Sequence, residues 1–134
     1  MSVPEITETA ITAPYWQALT KGRLDFQHCR ACGHGWLPAR AQCPACLSDD
    51  SEWHPASGKA RIVSWVVYHM AYAPHLAARV PYNVTIIELA EGPRLMTNII
   101  DCPDGQGLVV DAPVELVIEE EFGRALPRFR LAQV

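Results

Sequence analysis

From Lys59 onward the chain reads as β-structure. In "ASGKARIVSWVVYHMAY" the residues Val63, Trp65 and Val67 alternate with Ser64, Val66 and Tyr68, and β-branched side chains dominate. That period of two predicts a long strand. "APHLAARVPY", with prolines at both ends, is a connecting loop. "NVTIIEL" and "LMTNII" are two further strands, turned by "AEGPR" into a hairpin. "DCPDGQGL" is a polar loop, and "APVELVIEEE" is a fourth strand with Val114, Leu116 and Ile118 on one face. "FGRALP" turns again before a short fifth strand in "RFRLAQV". Val63, Trp65, Val67, Val84, Ile86, Leu95, Val114, Leu116 and Phe129 are the expected core. Val66 is also apolar, so the opposite face of the first strand is the alternative.

Helical spacing occurs once. "TAPYWQALTKGRL" has Thr12 as a cap, Pro14 in the first turn and Gly22 as a stop. Tyr15, Trp16 and Leu19 then share a face. Packing on the protein's own body and docking on a partner are both open for that face. Residues 1 to 10 read as a loose arm.

Between helix and strands lies "FQHCRACGHGWLPARAQCPACLSDD". Two C-x-x-C pairs, Cys29/Cys32 and Cys43/Cys46, stand ten residues apart. Each pair makes a knuckle with both thiolates on one side, and two facing knuckles form a tetrahedral four-sulfur site. Gly33 supplies a turn after the first pair, and Pro44 pre-sets the backbone inside the second. Disulfides need an oxidising compartment, and a thioredoxin-like pair needs one C-x-x-C at the head of a helix. Neither context is visible here. The expected occupant is one structural Zn2+, with a rubredoxin-type iron site as the alternative on the same ligands. His28 and His34 flank the first pair; they are alternative ligands, but are read as solvent-facing because four sulfurs already close the shell.

One short helix, a rubredoxin-like zinc ribbon and five strands with no further helix predict a mainly β protein. Five strands fit a small closed barrel of the OB type, with an open sandwich as the rival. The expected division is an arm and helix over 1–23, the ribbon over 24–55 and the OB-fold over 56–134.

Composition narrows the function. With 49% apolar and 19% charged residues the chain is of globular type. From Pro81 onward there are four basic against nine acidic residues. That balance, Glu119 to Glu121 and a lysine set of Lys21 and Lys59 speak against a groove for single-stranded nucleic acid, the alternative function for a ribbon plus OB-fold. No apolar run approaches a membrane span. "MSVPEITETA" has no apolar core, so no signal peptide is expected, and the cytoplasm is the default compartment. There Cys102 stays a reduced thiol. His69, His75 and Cys102 are the obvious candidates for acid, base or nucleophile, but no motif pairs them. Catalysis by this chain alone is not expected.

The order of parts resembles a family of acyl-CoA-associated proteins with an N-terminal rubredoxin-like zinc ribbon and a C-terminal OB-fold. The resemblance rests on "YWQALTKGRLDFQHCRACGHGWLPARAQCPACLSDDSEW", "ASGKARIVSWVVYH", "VPYNVTIIELAEGPRLMTNI" and "LPRFR". It spans nearly the whole chain. It implies Cys29, Cys32, Cys43 and Cys46 as metal ligands. It also implies a non-catalytic accessory subunit for a thiolase-like enzyme acting on acyl-CoA (a thiolase, aldolase or synthase), in a hetero-oligomer. Steroid side-chain and aromatic-compound degradation are common settings of that family. Contact with a CoA thioester is a further expectation, for which Arg61 and Arg79 are phosphate-binding candidates or simply solvated charges. For the partner surface, the helix offers Tyr15 and Trp16, and the first long loop offers Tyr72, Pro74, Leu76, Val80 and Tyr82. These side chains are too apolar for a freely solvated surface.

Overall fold

In a computed structural model of the chain, residues 8–71, 73–121 and 123–132 are described, the side chain of His75 excepted. Helix α1 spans Ala13–Thr20. Strands β1 (Asp25–Cys29), β2 (Gly35–Trp36) and β3 (Ser51–Pro55) form a three-stranded sheet in the order β2-β1-β3. Strands β4 (Lys59–Tyr68), β5 (Tyr82–Leu89), β6 (Arg94–Thr97), β7 (Pro113–Glu121) and β8 (Arg124–Leu131) form a second sheet in the order β6-β5-β4-β7-β8. Its ends meet. Ile99 bridges Phe129 in parallel, the Ile100 N–H donates to the Phe129 carbonyl at 2.9 Å, and the Phe129 N–H donates to the Asn98 carbonyl. The protein is therefore mainly β, with a near-closed five-stranded barrel beside the ribbon.

Helix α1 ends where Gly22 takes φ +86°, a conformation that glycine adopts without strain. The Thr12 side chain does not cap the helix; its hydroxyl pairs with Thr9 instead. The helix packs on the barrel. Leu19 is fully buried in the core, and Tyr15 and Trp16 lie against it. Arg124 of β8 sits over the Trp16 ring, 5.4 Å from its centre. The helix face thus has an internal home.

Three expectations about the strands need correction. The first concerns β4, where Trp65 faces inward and Val66 outward as expected but Val63 does not join the core. Its pairing with β5 runs Ile62 to Ile87 and then Ser64 to Ile86, so Val63 is an extra, bulged residue. A bulge reverses which parity faces inward. Before it, Ala60 and Ile62 are buried; after it, Trp65 packs on the core while Val66 is 54% exposed. Trp65 and Val67 are covered by the 101–111 loop, whose Gly105 leaves no room for a side chain: a Cβ there would meet Val67 at 2.6 Å.

The second concerns β5. Val84 and Ile86 were expected inside, yet the buried positions are Asn83, Thr85, Ile87 and Leu89. Burying Asn83 is tolerable because its amide is fully used. Nδ2 donates to the carbonyls of Ile99 at 2.9 Å and Cys102 at 2.8 Å. Oδ1 accepts from the Ile99 N–H and the Thr85 hydroxyl, both at 2.8 Å. A buried amide with all its valences met carries no desolvation penalty for unpaired groups. It also ties β5 to the segment where β6 has ended.

The third concerns β8. It begins at Arg124, so "RALP" belongs to the strand rather than to a turn. Pro127 is accommodated opposite Ile118, with its carbonyl accepting from the Thr97 hydroxyl at 3.0 Å. The barrel core then comprises Ile62, Ile87, Leu89, Ile99, Val114 and Phe129, closed by Leu19 and Leu24. Leu95 and Leu116 pack against it as expected.

Candidate metal centre and interaction surface

The ribbon brings its four cysteines together. Their sulfurs all lie within 4.8 Å of one another, with Cys29–Cys46 and Cys32–Cys43 separations of 3.6 Å. A tetrahedral four-thiolate site with metal–sulfur bonds of about 2.3 Å has edges of about 3.8 Å, so the donor set fits a single ion. Cys29 and Cys43 are buried, and Cys32 and Cys46 are exposed. Backbone amides support the sulfurs: the Cys32 N–H points at the Cys29 sulfur and the Ala45 N–H at the Cys43 sulfur, both at 3.4 Å. The first of these, with further amide and thiol contacts, holds the Cys29 thiol down at about 7. The neighbouring sulfurs act the other way on Cys32, which is pushed up to about 12, and a bound metal takes all four as thiolates. Four protein ligands leave no coordination position open, so the centre is structural.

The two knuckles differ in the residue that follows each. Gly33 at φ +80° follows the first, and its N–H donates to the Cys29 carbonyl. At the matching place after the second stands Leu47, at φ +66°, donating to the Cys43 carbonyl. A leucine in the left-handed region is strained. Gln27 pins the linker between the knuckles, with Nε2 donating to the Arg40 carbonyl at 2.9 Å and Oε1 accepting the Arg40 N–H at 2.7 Å. Neither flanking histidine joins the sulfur cluster. His34 is exposed with its ring stacked on Trp36. His28 is not solvent-facing as expected; it is half-buried and stacks on His54 at 4.5 Å.

The candidates for chemistry are scattered. His69 is exposed just beyond β4. Cys102 is buried, and that burial, with Asp101 and Asp104 nearby, pushes its thiol up, which keeps it unreactive. Arg61 is engaged by Glu88, at 3.0 Å, and by Asp111. Arg79 pairs with Glu121.

Among the residues expected to meet a partner, Tyr72 lies outside the described residues. Tyr15 and Trp16 are half-buried, and burial pushes the Tyr15 hydroxyl up to about 12 although Arg128 pulls it down. Their outer edges line an almost wholly apolar groove of about 250 Å³ with Leu37, Pro38, Ala39 and Leu95. Pro74 and Leu76 form a 3-10 turn, with Pro74 exposed. Tyr82 is not in the loop; it opens β5, and its ring lies 5.3 Å from that of Tyr68. Leu76 and Tyr82 share a cleft of about 370 Å³ with Asn98, Pro103 and Arg128.

Sequence reasoning missed the apolar strip on the outside of the barrel. The ladder places Tyr68 beside Tyr82, Val66 beside Val84, and Ile86 between Ser64 and Met96. Val66 and Met96 are 54% and 66% exposed. The available signal was that "VTIIEL" is apolar at both parities, so either face could have turned outward.

Among the described residues no helix is long and apolar enough to cross a membrane. The family description "ChsH2, rubredoxin-like zinc ribbon domain" matches residues 16–52, and "ChsH2, C-terminal OB-fold domain" matches residues 53–119. A probable enoyl-CoA hydratase alpha subunit from Thermomonospora curvata is 36% identical over 120 residues, covering 88% of this chain and 36% of that protein. A DUF35 domain-containing scaffold protein from Methanothermobacter thermautotrophicus is 32% identical over 117 residues, covering 86% of this chain and 84% of that one. The chain spans only 36% and 52% of the first two curated relatives it matches. A chain in the solved structure of an Ltp2-ChsH2(DUF35) aldolase superposes with a TM-score of 0.82 at 31% identity, covering 95% of this chain and 98% of that chain. A four-cysteine ribbon leading into an OB barrel, matched end to end at this level, makes the chain a member of the ChsH2 (DUF35) family.

Proposed function

We propose that this chain is a non-catalytic accessory subunit that binds and supports a thiolase-fold enzyme acting on acyl-CoA. The observation that carries the reading is the end-to-end likeness to a chain of an Ltp2-ChsH2(DUF35) aldolase. The relative named as a probable enoyl-CoA hydratase alpha subunit adds a second acyl-CoA context. The occupant of the Cys29, Cys32, Cys43 and Cys46 site is zinc, which four thiolates suit without redox demands. Segments 1–23, 24–55 and 56–134 are arm and helix, ribbon and barrel, and the chain works in the cytoplasm. The substrate of the complex is an acyl-CoA from steroid side-chain or aromatic-compound degradation.

The partner surface combines the groove edged by Tyr15 and Trp16, the loop with Tyr72, Pro74 and Leu76, and the outward strip that begins at Tyr82. A stable interface takes roughly 800 Å² from each side, with aromatic anchors near its centre. Exposed Met96 and Val66 extend the apolar area beyond the side chains first considered. The acidic end of β7, Glu119 to Glu121, disfavours a nucleic-acid backbone at the same barrel.

The test is retention of the partner. Tagged chain purified from its native cells should carry a thiolase-fold polypeptide in stoichiometric amount. Trp16→Ala with Tyr72→Ala should abolish that complex. Because Trp16 also packs on the core, Met96→Glu, at an exposed side chain, serves as the variant that spares the fold, and Tyr72→Ala is also tested alone. Acyl-CoA turnover by the chain alone, or retention of single-stranded nucleic acid in place of a protein, refutes the reading.

A further inference from the structure

The ribbon carries a second cluster of ligand-type side chains on the sheet itself. In the antiparallel register His28 of β1 stands opposite Glu52 of β3, and Phe26 stands opposite His54. The period of two then puts His28, Glu52 and His54 on one face. One donor atom from each of the three lies within 4.8 Å of the other two. His54 Nε2 is 2.8 Å from Glu52 Oε1.

The surroundings hold this triad in place. Arg30 Nε donates to the other oxygen of Glu52 at 3.2 Å, and Arg30 Nη1 is itself held by Asp50 at 2.8 Å. That leaves Oε1 turned toward the imidazoles. Phe26 meets the His54 ring edge-on at 6.0 Å, and the two imidazoles stack within 11° of parallel. The Nδ1 atom of His28 is buried without a hydrogen-bond partner among the described residues. Buried ring nitrogens ordinarily find a partner, and this one is unengaged by any described hydrogen bond and so available as a donor atom.

We propose that His28, Glu52 and His54 form a second metal site, for a divalent first-row transition cation. Two imidazole nitrogens and one carboxylate oxygen suit zinc, cobalt or nickel better than calcium or magnesium. Around an ion with bonds of about 2.0–2.2 Å the donors stand about 3.3–3.6 Å apart, so His54 Nε2 and Glu52 Oε1 open from 2.8 Å and the two imidazoles turn out of their stack until both ring nitrogens converge on the ion. All three residues are half-buried, which gives the ion a path in. Arg30 acts as the outer partner that orients the carboxylate, the usual arrangement around ligating groups. Unlike the four-sulfur centre, three protein ligands leave at least one position for water or an external ligand. The proposal does not depend on the accessory role.

The full chain with its four-cysteine site already filled with zinc is titrated with Co2+. One further equivalent is expected, giving weak visible d–d bands without the near-ultraviolet thiolate-to-cobalt charge-transfer band of a sulfur site. The ring protons of His28 and His54 should shift or broaden selectively. Glu52→Gln, which preserves shape, should weaken that binding by at least about tenfold while leaving zinc content unchanged. His54→Ala should do the same, and if it fails to fold, Glu52→Gln decides. No second equivalent, cobalt appearing only with the charge-transfer band, or binding equal in wild type and Glu52→Gln each overturns the proposal.

Discussion

The ribbon and the barrel are neighbours in one chain, yet they are held together by different means. The barrel buries a continuous apolar cluster from Leu19 to Phe129. The ribbon has a cluster of three buried residues, Cys29, Trp36 and Cys43, two of which are metal ligands. A few dozen residues cannot hide enough apolar area to offset chain entropy. A metal supplies the missing free energy in the ribbon, and area supplies it in the barrel. Stability should therefore fail separately in the two halves.

The sharpest way to break that contrast is to remove the metal. Structural zinc contributes roughly 10–16 kcal/mol at neutral pH, more than the ribbon can supply otherwise. Cys43→Ser should release the ion and unfold residues 24–55, while amide protection in β4 and β5 persists. Proton–deuterium exchange on the variant reads this directly; loss of protection in both halves would mean one cooperative unit. Next comes the converse experiment. Ile62→Ala cuts a fully buried side chain and should cost about 2–5 kcal/mol. Urea unfolding should report that loss with metal content unchanged.

A third comparison lies within β5. Asn83→Ala strands the Ile99 N–H and two carbonyls, at a cost of about 1–3 kcal/mol per buried group left unpaired. Val84→Ala on the outer face should cost less. Paired thermal melts decide, and the reverse order would return Val84 to the interior. In the ribbon, Leu47→Gly should relieve about 1 kcal/mol of left-handed strain and slow metal loss to a chelator.

The smallest expected effect is electrostatic. The Arg61 guanidinium beside Glu88, with Arg94 helping, holds that carboxyl below its usual range. Its folded value lies below the unfolded one, so the pair contributes fully above the ordinary carboxylate pKa. That contribution is lost as pH falls through the depressed value. Acid titration of Glu88→Gln should show less pH dependence than wild type on this lower limb. An unchanged acid midpoint would leave the pair without a role.

What could be read from sequence was what is local. The four-cysteine centre depends on spacing within 18 residues and on turn chemistry at Gly33, so its ligands were visible at once. The strand set also followed from alternation. The faces did not, because they depend on distant partners. Asn83 is satisfied by Ile99 and Cys102, which no local pattern reveals. The bulge at Val63 leaves the alternation of β4 looking regular while reversing its sense midway. His28 meets Glu52 and His54 only through a register linking positions more than twenty residues apart. The apolar helix face was legible as a face, but whether it packed inward required the barrel to be there.

The join between Ile99 and Phe129 is the least-laced seam of the barrel among the described residues. Elsewhere in the barrel neighbouring strands share ladders of three or more registered pairs, whereas β6 and the residues just after it meet β8, among the described residues, through one parallel bridge, two amide bonds and the Thr97 hydroxyl. Opening there needs few bonds broken and unrolls the cylinder into a sheet with two bare edges. Such edges recruit other strands. Long storage, mild heating or freeze–thaw should therefore yield strand-exchanged dimers joined at this seam before any loss of the ribbon.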